Sequence, residues 1–106
     1  MRGSRTLVPC TLAVIWPLAA VADDAVSRGA AVADQWCRHC HPRADDPPAP
    51  RMAFAFEDIV MRKGRDRDYF SRFVREDHFP MTTFRLFEHE KDDIVAWLMA
   101  LQDAQR

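Results

Sequence analysis

Trp36-Cys37-Arg38-His39-Cys40-His41 sets two thiols three positions apart and an imidazole directly after the second. That is the spacing C-x-x-C-H, the pattern of c-type haem attachment. Two thiols so placed can add to the two vinyl groups of one porphyrin. The adjacent His41 is then held under the iron and can supply an axial nitrogen. Two other chemistries share part of the pattern. W-C-x-x-C also fits a thioredoxin-like redox motif, in which a lowered thiol pKa drives disulfide exchange. That fold needs strands around the motif, whereas an alanine-rich helical pattern precedes Trp36 here. A zinc site from Cys37, Cys40 and two histidines lacks a second cysteine pair at finger spacing.

Upstream of the motif the chain reads as an exported precursor. Arg2 and Arg5 give a positive start, an apolar stretch runs from Leu7 to Val21, and Ala20-Val21-Ala22 places small residues before a cut. Residues 1–22 are therefore expected to be a secretory signal, cleaved after about Ala22, and residues 23–106 one domain in the periplasm or its equivalent. An uncleaved anchor is the competing reading, although Pro9 and Pro17 interrupt the stretch and a span needs about 20 apolar residues. Cys10 stands too early for a lipidated cysteine, and Leu7-Val8-Pro9 lacks the small residues such a site needs.

Residues 23–106 keep only Cys37 and Cys40 of the three cysteines. A domain this small usually needs a staple, metal or cofactor for firm stability. Two cysteines so close cannot staple distant segments, so the stabilising agent is expected to be something they hold. Arg2 and Arg5 leave with the signal, so 15 basic side chains become 13 against an unchanged 16 acidic ones, a formal charge of −3. That balance speaks against a nucleic-acid partner.

Downstream the pattern is short helices and loops with no convincing strand: an all-α chain. Val26, Ala30, Ala33 and Cys37 recur at helical spacing, predicting a first helix from about Ala25 to Trp36. Pro42 to Pro50 holds four prolines and two aspartates and reads as an extended loop. A short helix is expected over Phe54–Arg62, ended by Gly64. Asp66 or Asp68 can cap a third, on which Tyr69, Phe70, Phe73 and Val74 share a face. The stretch His78-Phe79-Pro80-Met81-Thr82-Thr83 is irregular. A last helix from about Glu88 to Asp103 carries Ile94, Trp97, Leu98 and Leu101 on its buried stripe. Met61 and Met99 are expected in the core. The basic cluster Arg62, Lys63, Arg65 and Arg67, interleaved with Asp66 and Asp68, reads as a solvated turn rather than a docking patch.

The motif, the preceding helix with Gly29, and Ile94-Val95-Ala96-Trp97-Leu98 in the last helix together resemble a class I c-type cytochrome, of the small bacterial monohaem kind. The resemblance covers nearly all of residues 23–106. It implies the cytochrome c fold, three to four short helices wrapped around one covalently bound haem c and its iron. It also implies that first and last helices cross closely, with Gly29 against Trp97. The family's sixth ligand is a methionine in a loop before the last helix. Met81, forty residues after His41, stands at that place. His78 resembles the histidine of a P-H-x-x-M-P stretch that presents this methionine, and it is the other ligand candidate. Asp77 and Thr82 depart from that stretch. Leu86-Phe87-Glu88-His89-Glu90 resembles the family's L-S-x-x-E helix start, with Phe87 where the capping serine would be.

Further consequences follow from the resemblance. The proximal His41 is expected to donate its second ring proton to a loop carbonyl at Pro48 or Pro50. Arg38 and His39 are expected to face solvent, and Tyr69, Phe70 and Phe73 to wall the haem pocket. The implied role is electron transfer rather than catalysis, with redox partner proteins in place of a small-molecule substrate. A fixed relay subunit of a larger dehydrogenase or oxidase complex, or a haem protein with an open sixth site, are the alternatives.

Overall fold

The computed structural model describes residues 3, 8–14, 18–47, 53–76, 78, 80, 81 and 83–106. Four α-helices follow in order: α1 Leu18–Val32, α2 Phe56–Val60, α3 Arg67–Phe73 and α4 Glu88–Ala104. A π-helical turn, Ala33–Cys37, extends α1, and a 3₁₀ turn, Thr83–Arg85, precedes α4. Among the described residues there is no strand beyond one isolated bridge between His78 and Met81. No described helix is long and apolar enough to cross a membrane.

The first helix begins at Leu18 rather than Ala25, and so runs through Ala20-Val21-Ala22. Leu and Ala are strong helix formers, and no glycine or proline stands between Pro17 and Gly29 to stop propagation. The described side of Pro42–Pro50, up to Pro47, is the irregular loop expected; Pro48 and Pro50 lie outside the described residues. Helix α2 is shorter than expected at both ends, starting after Ala55 and ending at Val60. Gly64, at φ +79°, then reverses the chain in the left-handed region that side chains resist. Asp66 rather than Asp68 caps α3, its Oδ1 accepting the Tyr69 N–H at 2.7 Å.

The most extensive packing joins α1 to α4. Ile94, Trp97, Leu98 and Leu101 are all buried, as the helical stripe requires, and Val95 joins them. Ala33 of the π turn, Phe56 and Val60 of α2, Phe70 and Val74 at α3, and Leu86 ahead of α4 complete the core. Gly29 is the crossing point. A Cβ there would drive into the backbone carbonyl of Asp93 and stand 2.9 Å from Trp97 Cβ. Beside it, Arg28 grips the buried Asp93 carboxylate with two bonds, at 2.9 and 3.1 Å. Met61 is not core: it is 49% exposed, because α2 ends one residue before it and turns it outward. Met99 is half-buried against the core.

Phe87 precedes α4 without an acceptor in its side chain. Its N–H donates to Glu90 Oε2 at 2.8 Å, so half of a capping box survives. Arg75 ties the end of α3 to this helix start through Glu88 and Asp92, at 3.0 and 2.7 Å.

The far end of α4 is fastened by a polar residue. Buried Gln102 donates to the carbonyls of Val60 at 2.7 Å and Arg65 at 2.6 Å, clasping both sides of the Gly64 turn. Replacing Gln102 by leucine keeps the volume but leaves both carbonyls unpaired. The expected loss is about 1–3 kcal/mol, read as a lower urea midpoint. A variant as stable as the parent would mean that water satisfies both carbonyls.

Candidate functional site

The π turn is what gathers the cysteines and His41. Arg38 N–H reaches back to Ala33 O at 3.0 Å, one residue further than an α-helix would. The chain then tightens, so that Cys37 O accepts from Cys40 N–H at 3.1 Å and from His41 N–H at 2.9 Å. One carbonyl thereby fixes both thiols and the imidazole at the mouth of a helix.

These residues wall two cavities, of about 460 and 260 Å³. Cys37, His41, Phe73, Met81 and Leu86 line both. The larger adds Trp36, Cys40 and His78. The smaller is the more apolar, walled by Phe56, Ile59, Tyr69, Phe70, Ile94 and Leu98. The larger lies in the usual range for ligand sites, about 300–1,000 Å³, and the smaller just below it. So the four residues singled out in the sequence, Cys37, Cys40, His41 and Met81, share one lined space although forty positions separate the last two. Trp36 and Phe54 stand at its rim, 45% and 60% exposed. Among the described residues, no three His, Cys, Asp or Glu side chains converge as a site for a single ion.

His41 Nδ1 lies 2.9 Å from the carbonyl oxygen of Phe54. A carbonyl only accepts, so Nδ1 carries the ring proton and Nε2 keeps its lone pair. The acceptor is thus a residue at the entry to α2. Pro48 and Pro50, expected in this part, lie outside the described residues. The ring also packs on Phe56, with centroids 5.0 Å apart, and Phe56 meets Trp97 edge-on at 4.9 Å. The imidazole is therefore braced, through one aromatic, by the helix crossing.

Electrostatics hold the loop behind the motif. Arg38 is half-exposed, and it is tied down where a freely solvated side chain was expected: its Nη2 meets both oxygens of Asp46 at 2.6 Å, and Nη1 reaches the exposed Asp34. The following proline-rich turn brings Asp46 back under the motif, which makes a variable motif position structural. His39 is exposed, as expected, its Nε2 3.1 Å from Gln35 O. Arg43 Nε donates to Glu57 Oε1 at 2.6 Å, Ala44 N–H to Glu57 Oε2 at 2.9 Å, and Phe56 N–H to Pro42 O at 3.1 Å. Burial would raise the Glu57 carboxyl, but these bonds and the Arg43 charge outweigh it and hold it below the usual 4.5. A depressed carboxyl contributes stability above about pH 4.5 that is lost as pH falls through its folded value. Glu57→Gln is therefore expected to lose about 1–2 kcal/mol at pH 7. It should also flatten the fall of melting temperature below pH 4.5. An unchanged acid limb in that variant would place the pH dependence on another carboxyl.

Burial, helped by the neighbouring Cys40, pushes the Cys37 thiol up to about 11. Reactive disulfide-exchange cysteines have the opposite shift.

Met81 is half-buried and pairs with His78 across a backbone bridge. His78 stacks on Phe73 at 3.9 Å and 11°, and its buried Nε2 has no hydrogen bond, the Glu76 carboxylate standing 3.6 Å away. Asp77 and Thr82, where the loop departs from the resembled pattern, and Met52 lie outside the described residues. Comparison with protein-family models, with characterised proteins and with solved structures returns no match.

Proposed function

We propose that this chain is a periplasmic electron carrier of cytochrome c fold, holding one haem c through thioether bonds at Cys37 and Cys40, with His41 and Met81 as iron ligands. The observation that carries the proposal is the His41–Phe54 bond in a wall shared with both thiols and Met81. It orients an imidazole, fixes its proton on the far nitrogen, and leaves the other as a ligand. A site for one zinc ion would need its donors to converge on a point. Donors distributed around one apolar space suit a large planar ring instead.

When bound, the haem supplies an iron that gains and loses one electron. The protein's part is to set and protect that step. A thioether from Met81 favours the reduced iron and so raises the potential. Tyr69, Phe70 and Phe73 exclude water from the smaller cavity. Trp36 and Phe54 offer an exposed apolar rim for brief docking with donor and acceptor proteins. No protein group needs to move a proton or bind a substrate for this function.

The test is maturation. The chain, exported in a host that attaches haem c, should give a coloured protein whose haem stays on the polypeptide in acid acetone or a denaturing gel. Cys37→Ser with Cys40→Ser should yield colourless protein. A parent chain that exports and folds but remains colourless, with both thiols titrating free, would refute the reading. Co-purification of the coloured protein with a large oxidoreductase would favour the fixed-relay alternative over a free carrier.

A further inference from the structure

The smaller cavity has an unbalanced charge. Its wall is mostly aromatic and aliphatic, yet the guanidinium groups of Arg62 and Arg65 interrupt it, and no described aspartate or glutamate lines it. Neither arginine has a carboxylate partner among the described residues. Two members of the basic turn that reads from sequence as merely solvated thus border an apolar space.

Both side chains are held in place. The Arg65 carbonyl accepts from buried Gln102 at 2.6 Å, and its guanidinium carbon lies 4.0 Å from the centroid of Tyr69, whose N–H is fixed by the Asp66 cap of α3. The Arg62 guanidinium carbon lies 4.0 Å from the centroid of Phe54, at the exposed rim. Stacking covers a guanidinium's face and leaves its N–H edge for an acceptor in the plane. Arg65 Nε is buried and donates to nothing. A buried donor without an acceptor is unfavourable, and native structures rarely keep one without a reason.

Two cations in a wall without an anion suit an occupant that is apolar in its body and carries carboxylates at its edge. A metal ion would be repelled, and a neutral ligand would leave the Arg65 edge unpaired. Given the haem c proposed above, on which this assignment rests, we infer that Arg65, aided by Arg62, binds the haem propionates at the Gly64 turn. The pairing fixes the ring by charge where the thioethers do not reach. It also sets the potential. A bare carboxylate near the iron favours the ferric charge, and a paired guanidinium cancels that effect, adding to the influence of Met81.

The test uses the matured protein with haem attached, its midpoint potential read by spectroelectrochemistry over about pH 5–8, the range in which a half-buried carboxyl titrates. Arg65→Gln should remain coloured, because Cys37, Cys40 and His41 are untouched. Its potential at pH 7 should fall by about 59 mV, a tenfold shift of a one-electron equilibrium. Below about pH 6 that potential should climb as the freed carboxylate takes up a proton, whereas the parent profile stays flatter. His41 and Tyr69 on the same wall, and Asp66 beside Arg65, are common to every variant, so a difference between profiles belongs to the carboxylate. Arg65→Lys keeps the charge and should recover most of the fall. Lys63→Gln removes the same charge outside the cavity lining and should shift the potential little. Should Arg65→Gln not fold, Arg62→Gln, on an exposed side chain, carries the same test with the same signs. A coloured arginine variant with the parental potential and profile would overturn the assignment and leave the haem itself standing. An equal fall in Lys63→Gln would overturn it too, as a general effect of net charge. A colourless parent would overturn both.

Discussion

Replacing Gly29 by valine is expected to unfold the domain, or to leave it without its helix crossing, and no other single substitution away from the motif should do more damage. The reason is what a Cβ would meet: the backbone carbonyl of Asp93 and the Cβ of Trp97, neither of which can swing aside. Overpacking against flexible side chains typically destabilises by about 1–3 kcal/mol. Against backbone, α1 and α4 must separate, so a loss at or above the top of that range is expected. Domains of this size have only about 5–10 kcal/mol of stability in total. Separation would also part Arg28 from Asp93, leaving a buried carboxylate without its partner, and loosen the Trp97–Phe56–His41 stack that braces the imidazole. Gly29→Ala isolates the steric argument. Alanine gains about 1 kcal/mol of helix propensity, yet its methyl still enters the Asp93 carbonyl, so a net loss is expected in urea unfolding. A neutral or stabilised Gly29→Ala chain would show that the close approach is not required.

Where side-chain type dictates geometry directly, the sequence was readable. An apolar period of 3.6 put Ile94, Trp97, Leu98 and Leu101 on one buried face. Glycine could mark the close approach at residue 29 and the reversal at residue 64, because few other residues tolerate either. An aspartate ahead of an apolar run could mark the cap of α3. What could not be read depends on partners that only the fold supplies. Asp93 and Gln102 are polar residues on a buried stripe, and their partners lie 65, 42 and 37 positions away. The acceptor for His41 is a main-chain carbonyl, which every residue carries, so nothing in the sequence could distinguish Phe54 from a proline nearby. Arg38 is tied to Asp46 because that residue returns beside it through the proline-rich turn, and the length of that turn, not its composition, sets the meeting. The early start of α1 follows local propensity where a targeting pattern suggested a boundary. Of the candidate site, the thiols, His41 and Met81 were visible as a set; the stacking of His78 on Phe73 and the orphaned Arg65 edge were not.

Met81→Ala is expected to lower the midpoint potential by about 0.1–0.3 V, a fraction of the roughly 0.8 V that axial ligands span, while leaving haem covalently attached. Attachment should survive because Cys37, Cys40 and the Phe54 carbonyl behind His41 are untouched. The potential should fall because removing a soft thioether withdraws the stabilisation of reduced iron. The oxidised protein should lose its sulfur-to-iron band, and the ferrous form should bind carbon monoxide without denaturant. His78 complicates the outcome in a usable way. It is bridged to Met81 by the backbone, borders the same cavity, and holds a buried nitrogen with no hydrogen bond. If it swings off Phe73 to replace the lost sulfur, the variant keeps a low-spin spectrum, resists carbon monoxide and still has a low potential. Adding His78→Ala should then open the site. An unchanged potential in Met81→Ala would instead show that the sulfur never held the iron. A parent protein that already binds carbon monoxide rapidly would point the same way, toward a ligand-binding haem protein in place of a carrier.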